Sequence, residues 1–294
     1  MEKAVARPSD IVLTAAAPVI WGSTYIVTTQ MLPAGYPLTV SMLRALPAGL
    51  ILLAVVRRLP PRIWLGRIFI LGALNFTLFW AALFVAAYRL PGGVAATLGA
   101  TQPLIVLMLS RPVLGTPVRP AGLIAALAGI AGVGLLILGP QARLDPIGVA
   151  AALTGALSMA AGTVMTRKWQ PPASPLTVTA WQLTAGGLLL LPVALALEPG
   201  FPVPTALNLA GFAWLGLIGA ALTYFFWFRG IARLGPATVT SFGFLSPLTA
   251  VILGWLLLGQ ALGPAQATGA AIVLFSVWLG QRAGQRAAAL AAAR

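Results

Sequence analysis

The chain has 294 residues, 60% of them hydrophobic and only 7% charged, and 18 Lys and Arg against 4 acidic residues give a formal charge of +14. With a mean hydropathy of +0.97, this composition excludes an ordinary water-soluble globular domain. The absence of Cys and His excludes disulfides, thiolate chemistry and metal sites built on either residue.

Apolar runs of about 20 residues cross a bilayer core. The charge-poor segments divide into ten, near residues 11–31, 37–56, 65–84, 92–110, 119–138, 147–166, 175–196, 208–228, 236–257 and 264–281. The predicted fold class is therefore an all-α polytopic membrane protein with ten transmembrane helices. Residues 1–10 read as a polar N-terminal lead. The first span is too long for a secretory signal and lacks a small-residue cleavage motif, so it reads as a retained span. It carries Pro18 and then Trp21-Gly22-Ser23-Thr24-Tyr25, with Thr28 following. Trp21, Thr24 and Thr28 share one helical face, with Tyr25 beside it. Such hydroxyls either bond their own i−4 carbonyls in a packed helix or line a polar interior.

The second span opens Pro37-Leu38-Thr39-Val40 and holds Arg44, the one charge more than three residues inside a predicted span. A mid-bilayer Arg costs about 2.5 to 3.5 kcal/mol on insertion scales. With no acid in any span, Arg44 has three outlets: backbone carbonyls and hydroxyls, outward snorkelling, or a substrate carboxylate. The third span supplies Asn75, Phe79 and Trp80. The fourth has Gly99 four residues before Pro103, with Gln102 between them. A helical Pro removes the hydrogen bond to the i−4 carbonyl and crowds it, so this pair predicts a bend and a hinge. Small-residue pairs such as Ala125 with Gly129 mark the fifth span as a packing element. Thr163 lies in the sixth span, Trp181 in the seventh, and Tyr224 and Trp227 in the eighth. The ninth repeats the hinge pattern with Gly243, Ser246 and Pro247.

That repetition is general. At an offset of 144, Arg89-Leu90, Gly99, Pro103, Gly115 and Pro120 fall on Arg233-Leu234, Gly243, Pro247, Gly259 and Pro264. At 138, Pro37-Leu38-Thr39-Val40 falls on Pro175-Leu176-Thr177-Val178, Gly49 on Gly187 and Arg44 on Gln182; at 147, Phe79-Trp80 falls on Phe226-Trp227. The predicted units are residues 11–140 and 141–283, each of five spans, followed by a tail at 284–294. Five is odd, so the second copy enters from the opposite side and the repeat is inverted. Kinked helices in corresponding positions of two inverted halves point to a transporter's central site. If both termini are cytoplasmic, fifteen Lys and Arg fall on that side and two, Arg89 and Arg143, on the other. This positive-inside bias assigns the basic balance to topology and to membrane lipid as a partner, with no nucleic acid.

Ten spans in two halves, the Trp21-Gly22-Ser23 turn and the duplicated Arg-Leu, Gly and Pro pattern resemble the EamA-type members of the drug/metabolite transporter superfamily over the whole chain. The resemblance implies a carrier of the bacterial cytoplasmic (inner) membrane, most often an exporter. Within the superfamily the aromatic-lined exporters of aromatic amino acids are similar to this chain. The small multidrug relatives use a membrane glutamate that has no counterpart here.

The acids Glu2, Asp10, Asp145 and Glu198 read as terminal or loop residues, which favours facilitated over proton-coupled transport. No P-loop, catalytic group, metal site or cofactor is predicted. The expected substrate site comprises Trp21, Thr24, Tyr25, Thr28, Arg44, Asn75, Phe79, Trp80, Gln102, Thr163, Trp181, Tyr224, Trp227 and Ser246, with rings holding an apolar side chain and polar groups its head. The expected function is export of amphiphilic metabolites, aromatic amino acids first, by alternating access, in a monomer or weak homo-oligomer. Alternatives are export of other organic compounds, a sugar-phosphate or nucleotide-sugar carrier, and a lipid-binding or assembly subunit.

Overall fold

The computed structural model describes residues 7–89, 98–137, 145–259 and 263–292. Every regular element among them is helical. The N-terminal rod is α1 (Pro8–Gly22) and α2 (Thr24–Met31), broken at Ser23, followed by α3 (Pro37–Val56). Next come α4 (Arg62–Gly72), continued through a π-helical segment (Ala73–Thr77) into α5 (Leu78–Arg89). Then follow α6 (Gln102–Leu114), α7 (Pro120–Ile137), α8 (Pro146–Trp169) and α9 (Pro175–Leu197). Helix α10 (Ala206–Ala213) passes through a second π-helical segment (Trp214–Leu222) into α11 (Thr223–Leu234). A short α12 (Pro236–Ser241) and a 3-10 turn (Phe242–Phe244) lead to α13 (Leu245–Leu258), and α14 (Pro264–Ala292) ends the description.

Among the described residues, six continuous helices are long and apolar enough to cross a membrane: Pro37–Val56, Arg62–Ala86, Pro146–Trp169, Pro175–Leu197, Ala206–Leu234 and Pro236–Leu258. Shorter apolar helices are Gln102–Leu114, Pro120–Leu135 and Pro264–Gly280. Prolines in the first turn open α1, α3, α8 and α9, where a missing N–H costs nothing. Gly115 and Gly259, 144 residues apart, end α6 and α13 at φ 68° and 64°, left-handed caps that suit glycine. Leu, Ile, Val and Trp side chains remain exposed along the outer helix faces, as lipid requires.

The dominant pairings are α3 with α9, α7 with α14, α5 with α8 and α1 with α11; α6 packs on α8, and α13 on α1. The α3/α9 pair is antiparallel. At one end the Glu198 carboxylate accepts from the Leu38 and Thr39 amides at 2.9 and 2.8 Å, and at the other Trp181 Nε1 donates to the Arg58 carbonyl at 2.6 Å. Arg67 at the start of α4 lies 5.7 Å from the Trp169 ring centroid at the end of α8, and Arg167 of α8 and Asp10 of α1 both reach the end of α11. The start of α1, the ends of α3 and α8 and the start of α4 thus share one face, here called the N-terminal face. The start of α3 and the end of α9 share the opposite face.

Two boundaries differ from expectation. Helix α1 begins at Pro8, which places Asp10 in a helical turn instead of a solvated lead; its side chain is 1% exposed. The cause is local and distant at once, because its carboxylate accepts from the Arg7 amide and pairs with two arginines of α11. At the other end, α14 runs to Ala292, through most of the expected tail.

Candidate functional site

The two predicted hinges are places where α-helical hydrogen bonding stops. Ala100 and Thr101 form a turn outside α-helix, and α6 starts at Gln102 with Pro103 in its first turn. In the other half the 3-10 turn Phe242–Phe244 contains Gly243, and Pro247 follows in the first turn of α13. Neither Gly99 nor Gly243 has a neighbour within 4 Å of where a Cβ would stand.

The break at Ser23 meets the second hinge. A Cβ on Gly22 would come within 2.7 Å of the Ser246 carbonyl oxygen and 2.6 Å of Thr249 Cβ, so the Trp21-Gly22-Ser23 turn lies directly against α13. Ser23 Oγ donates to the Ile20 carbonyl at 2.7 Å and accepts from Trp214 Nε1 at 2.9 Å.

Beside this break lies a cluster of rings. Trp21 is 4.9 Å, centroid to centroid, from both Tyr224 and Trp227. Phe76 is 4.6 Å from Tyr224 and 5.2 Å from Trp80, and Phe228 lies 5.8 Å from Tyr224. Trp80, Tyr224 and Trp227 are buried, Trp21 and Phe79 half-buried. Tilted and edge-on pairs of this kind add to the burial of apolar area.

Arg44 is buried beneath the cluster, 4% exposed, and does not snorkel. Its guanidinium lies 4.7 Å from the Trp80 ring centroid, a cation-π distance, and Nη2 donates to the Gly219 carbonyl at 2.8 Å. The same carbonyl accepts from Trp21 Nε1 at 3.2 Å and Thr223 Oγ1 at 2.9 Å. Gly219 belongs to the second π-helical segment, whose widened turn turns a backbone acceptor toward side chains. Arg44 therefore takes the backbone-bonding outlet.

The polar candidates separate from the rings. Asn75 Nδ2 donates to Gln182 Oε1 at 2.7 Å and lies 3.4 Å from Thr166 Oγ1. Asn75, Thr163 and Gln182 are each 0% exposed. Gly162 makes the room: a Cβ there would overlap the Asn75 amide. Gln102 is half-buried, with Nε2 lacking a partner among the described residues, as does Thr28 Oγ1.

Other candidates fall elsewhere. Trp181 packs with Ile68 and Ala185, near Trp64 on the N-terminal face, away from the rings. Thr24 and Ser246 are half-buried near the Ser23 break, and the Tyr25 side chain lies outside the described residues. Sequence reasoning passed over Phe76, Phe228 and Thr166. It noted Gln182 only as the counterpart of Arg44, and that correspondence was the signal available.

Comparison with known proteins gives a consistent answer. The model of the EamA-like transporter family matches residues 9–138 and again residues 146–280. Protein PecM of Dickeya dadantii (strain 3937) is 49% identical over 259 residues, covering 87% of each chain. The uncharacterized inner membrane transporter YedA of Escherichia coli (strain K12) is 29% identical over 266 residues, 89% of this chain and 87% of that one. A solved crystal structure, 20% identical, superposes with a TM-score of 0.81 over 94% of this chain and 99% of the other, a likeness of fold.

Proposed function

This chain belongs to the EamA-like transporter family and is a multi-pass inner-membrane transporter of small molecules; on that premise we propose that it exports amphiphilic metabolites, aromatic amino acids first, by facilitated alternating access. The observation that carries this reading is the ring cluster of Trp21, Phe76, Trp80, Tyr224 and Trp227. It adjoins a helix break, a π-helical turn and a buried cation, the mixture of apolar walls and few polar groups that binds a ring-bearing solute.

An inverted ten-span repeat is part of the proposal. The family model matches twice, over 9–138 and 146–280. The helix pairing supports the same reading: exchanging the halves maps α3/α9 and α7/α14 onto themselves, α5/α8 onto α11/α1, and α6/α8 onto α13/α1. The two π-helical segments, Ala73–Thr77 and Trp214–Leu222, overlap at the offset of 147. The positive-inside bias favours an N-terminal face that is cytoplasmic.

Facilitated transport is favoured by where the carboxylates go. Among the described residues, Asp10 and Asp145 sit in first-turn or N-cap positions and Glu198 caps the start of α3. None is in the middle of a helix, where a proton relay needs one.

The test is uptake and counterflow of labelled tryptophan, phenylalanine and leucine into proteoliposomes, with and without a proton gradient. Saturable uptake that favours the aromatic pair and ignores the gradient is expected. Absence of uptake of all three removes amino acids as substrates, and a strict gradient requirement overturns the facilitated mechanism.

A further inference from the structure

The amide cluster beside the rings carries an unpaid debt of hydrogen bonds. Asn75 Oδ1, Thr163 Oγ1 and Gln182 Nε2 have no partner among the described residues, although all three side chains are fully buried. Exchanging the O and N ends of both amides changes nothing in the tally, because one donor and one acceptor remain either way. Three such groups, on α8, α9 and the first π-helical segment, are expensive to keep dry.

One helical turn beyond Thr163 along α8 lies Arg167, at the N-terminal face. Its guanidinium donates to the Ala232 carbonyl, with the Ile231 carbonyl at 3.5 Å, at the end of α11. The last carbonyls of a helix lack intrahelical donors and carry the negative end of its dipole, so a cation there is well placed. This contact is between two groups of helices. Helix α8 packs chiefly on α5 and α6 and α11 chiefly on α1, with lighter packing of α11 on α9, α12 and α8 itself. Below it, Val106, Ala160 and Val164 pack with Ala237 at the start of α12, a short apolar seal of the same seam.

The geometry points to Asn75, Thr163 and Gln182 as a polar station on the N-terminal side of the ring cluster that is hydrated and holds the hydrogen-bonding head of the solute during transport, and to Arg167 as the bolt that closes it in the conformation seen here. The inference rests on the transporter reading. A station of neutral side chains suits a head group that both donates and accepts, such as that of a zwitterionic amino acid. Water fills the same positions when no solute is bound.

The chain has no cysteine, so a single thiol reports its own surroundings. In Thr163→Cys protein reconstituted in liposomes, a membrane-impermeant methanethiosulfonate should modify the thiol from the N-terminal face. Adding Arg167→Ala should speed that modification at least tenfold, and Arg167→Lys, which still donates to the carbonyls, should return it toward the starting rate. A rate unchanged within twofold by Arg167→Ala overturns the bolt; no modification in any variant overturns the station. Gln182→Met keeps the length and removes the polar end. It should raise the KM for tryptophan at least fivefold without lowering the melting temperature, and an unaltered KM overturns the station. Absence of tryptophan uptake by the unsubstituted protein, together with faster modification in Arg167→Ala, overturns the substrate reading alone.

Discussion

Two ion pairs stand at corresponding places on opposite faces, and they are built differently. Arg233 lies 144 residues after Arg89, and each is at the end of its helix; Asp10 and Asp145 lie in the N-terminal turns of α1 and α8. On the N-terminal face, Asp10 pairs with Arg229 at 2.5 Å and Arg233 at 3.1 Å, with the carboxylate 1% exposed. On the opposite face Arg89 and Asp145 are 3.6 Å apart and 45% and 38% exposed. Burial decides what such a pair does, since an exposed pair is worth about 0 to 1 kcal/mol whereas breaking a buried one strands a charge. The N-terminal face is therefore the one tied by electrostatics, and it is also the face that Arg167 spans.

The strongest way to break this contrast is Asp10→Asn, which leaves two arginines facing a neutral amide. The expected loss is about 3 to 5 kcal/mol, read as a fall in melting temperature in detergent. A loss below about 1 kcal/mol would mean that water reaches the pair and the two faces are equivalent.

The middle of the molecule, unlike its two ends, is balanced. A Cβ on Gly187 would lie 2.6 Å from Leu46 Cβ and 2.7 Å from its backbone nitrogen, and one on Gly49 would meet the Thr184 backbone. Leu46 and Thr184 are each three residues before the matching glycine, so α3 and α9 cross with local two-fold symmetry. Gly49→Ala and Gly187→Ala should each destabilise by about 1 to 3 kcal/mol through overpacking, and by similar amounts. Unequal losses in thermal unfolding would show that the asymmetry of the faces extends to the crossing.

Hydropathy, first-turn prolines and the offsets of 138, 144 and 147 made the helices, the duplicated helix breaks and the correspondence of Gly49 with Gly187 legible, because each depends on local chain geometry or on repetition. Burial of Asp10 was not legible, since its partners, Arg229 and Arg233, are more than 200 residues away in the chain. Trp181 looked equivalent to Trp80 and Trp227, and only the antiparallel α3/α9 pairing places it at a helix end. No residue pattern announces a π-helical turn, so the Gly219 carbonyl that holds Arg44 could not be foreseen. The amide cluster was visible in half, as Asn75 and Thr163, because Gln182 showed only as a counterpart to Arg44.

Two smaller substitutions sharpen the contrast between faces. Arg233→Gln removes one of two cations from Asp10 and leaves Arg229 at 2.5 Å, so it should cost about 1 kcal/mol, less than the 1.5 to 3 kcal/mol of a charge-assisted bond because the Arg233 side chain is 40% exposed. Arg89→Gln should cost the least, less than about 1 kcal/mol, and the Asp145 cap on Gly148 at 2.8 Å survives it. Salt separates the two cases further. Screening reaches exposed charges within a Debye length of about 8 Å at physiological ionic strength, so raising salt to about 1 M should abolish the difference between Arg89→Gln and the parent protein. The same salt should leave most of the Asp10→Asn loss in place, because that carboxylate and its guanidinium partner exclude the ions that would screen them. Equal salt sensitivity in both variants would place the Asp10 pair in water and remove the reason for regarding the N-terminal face as the locked one.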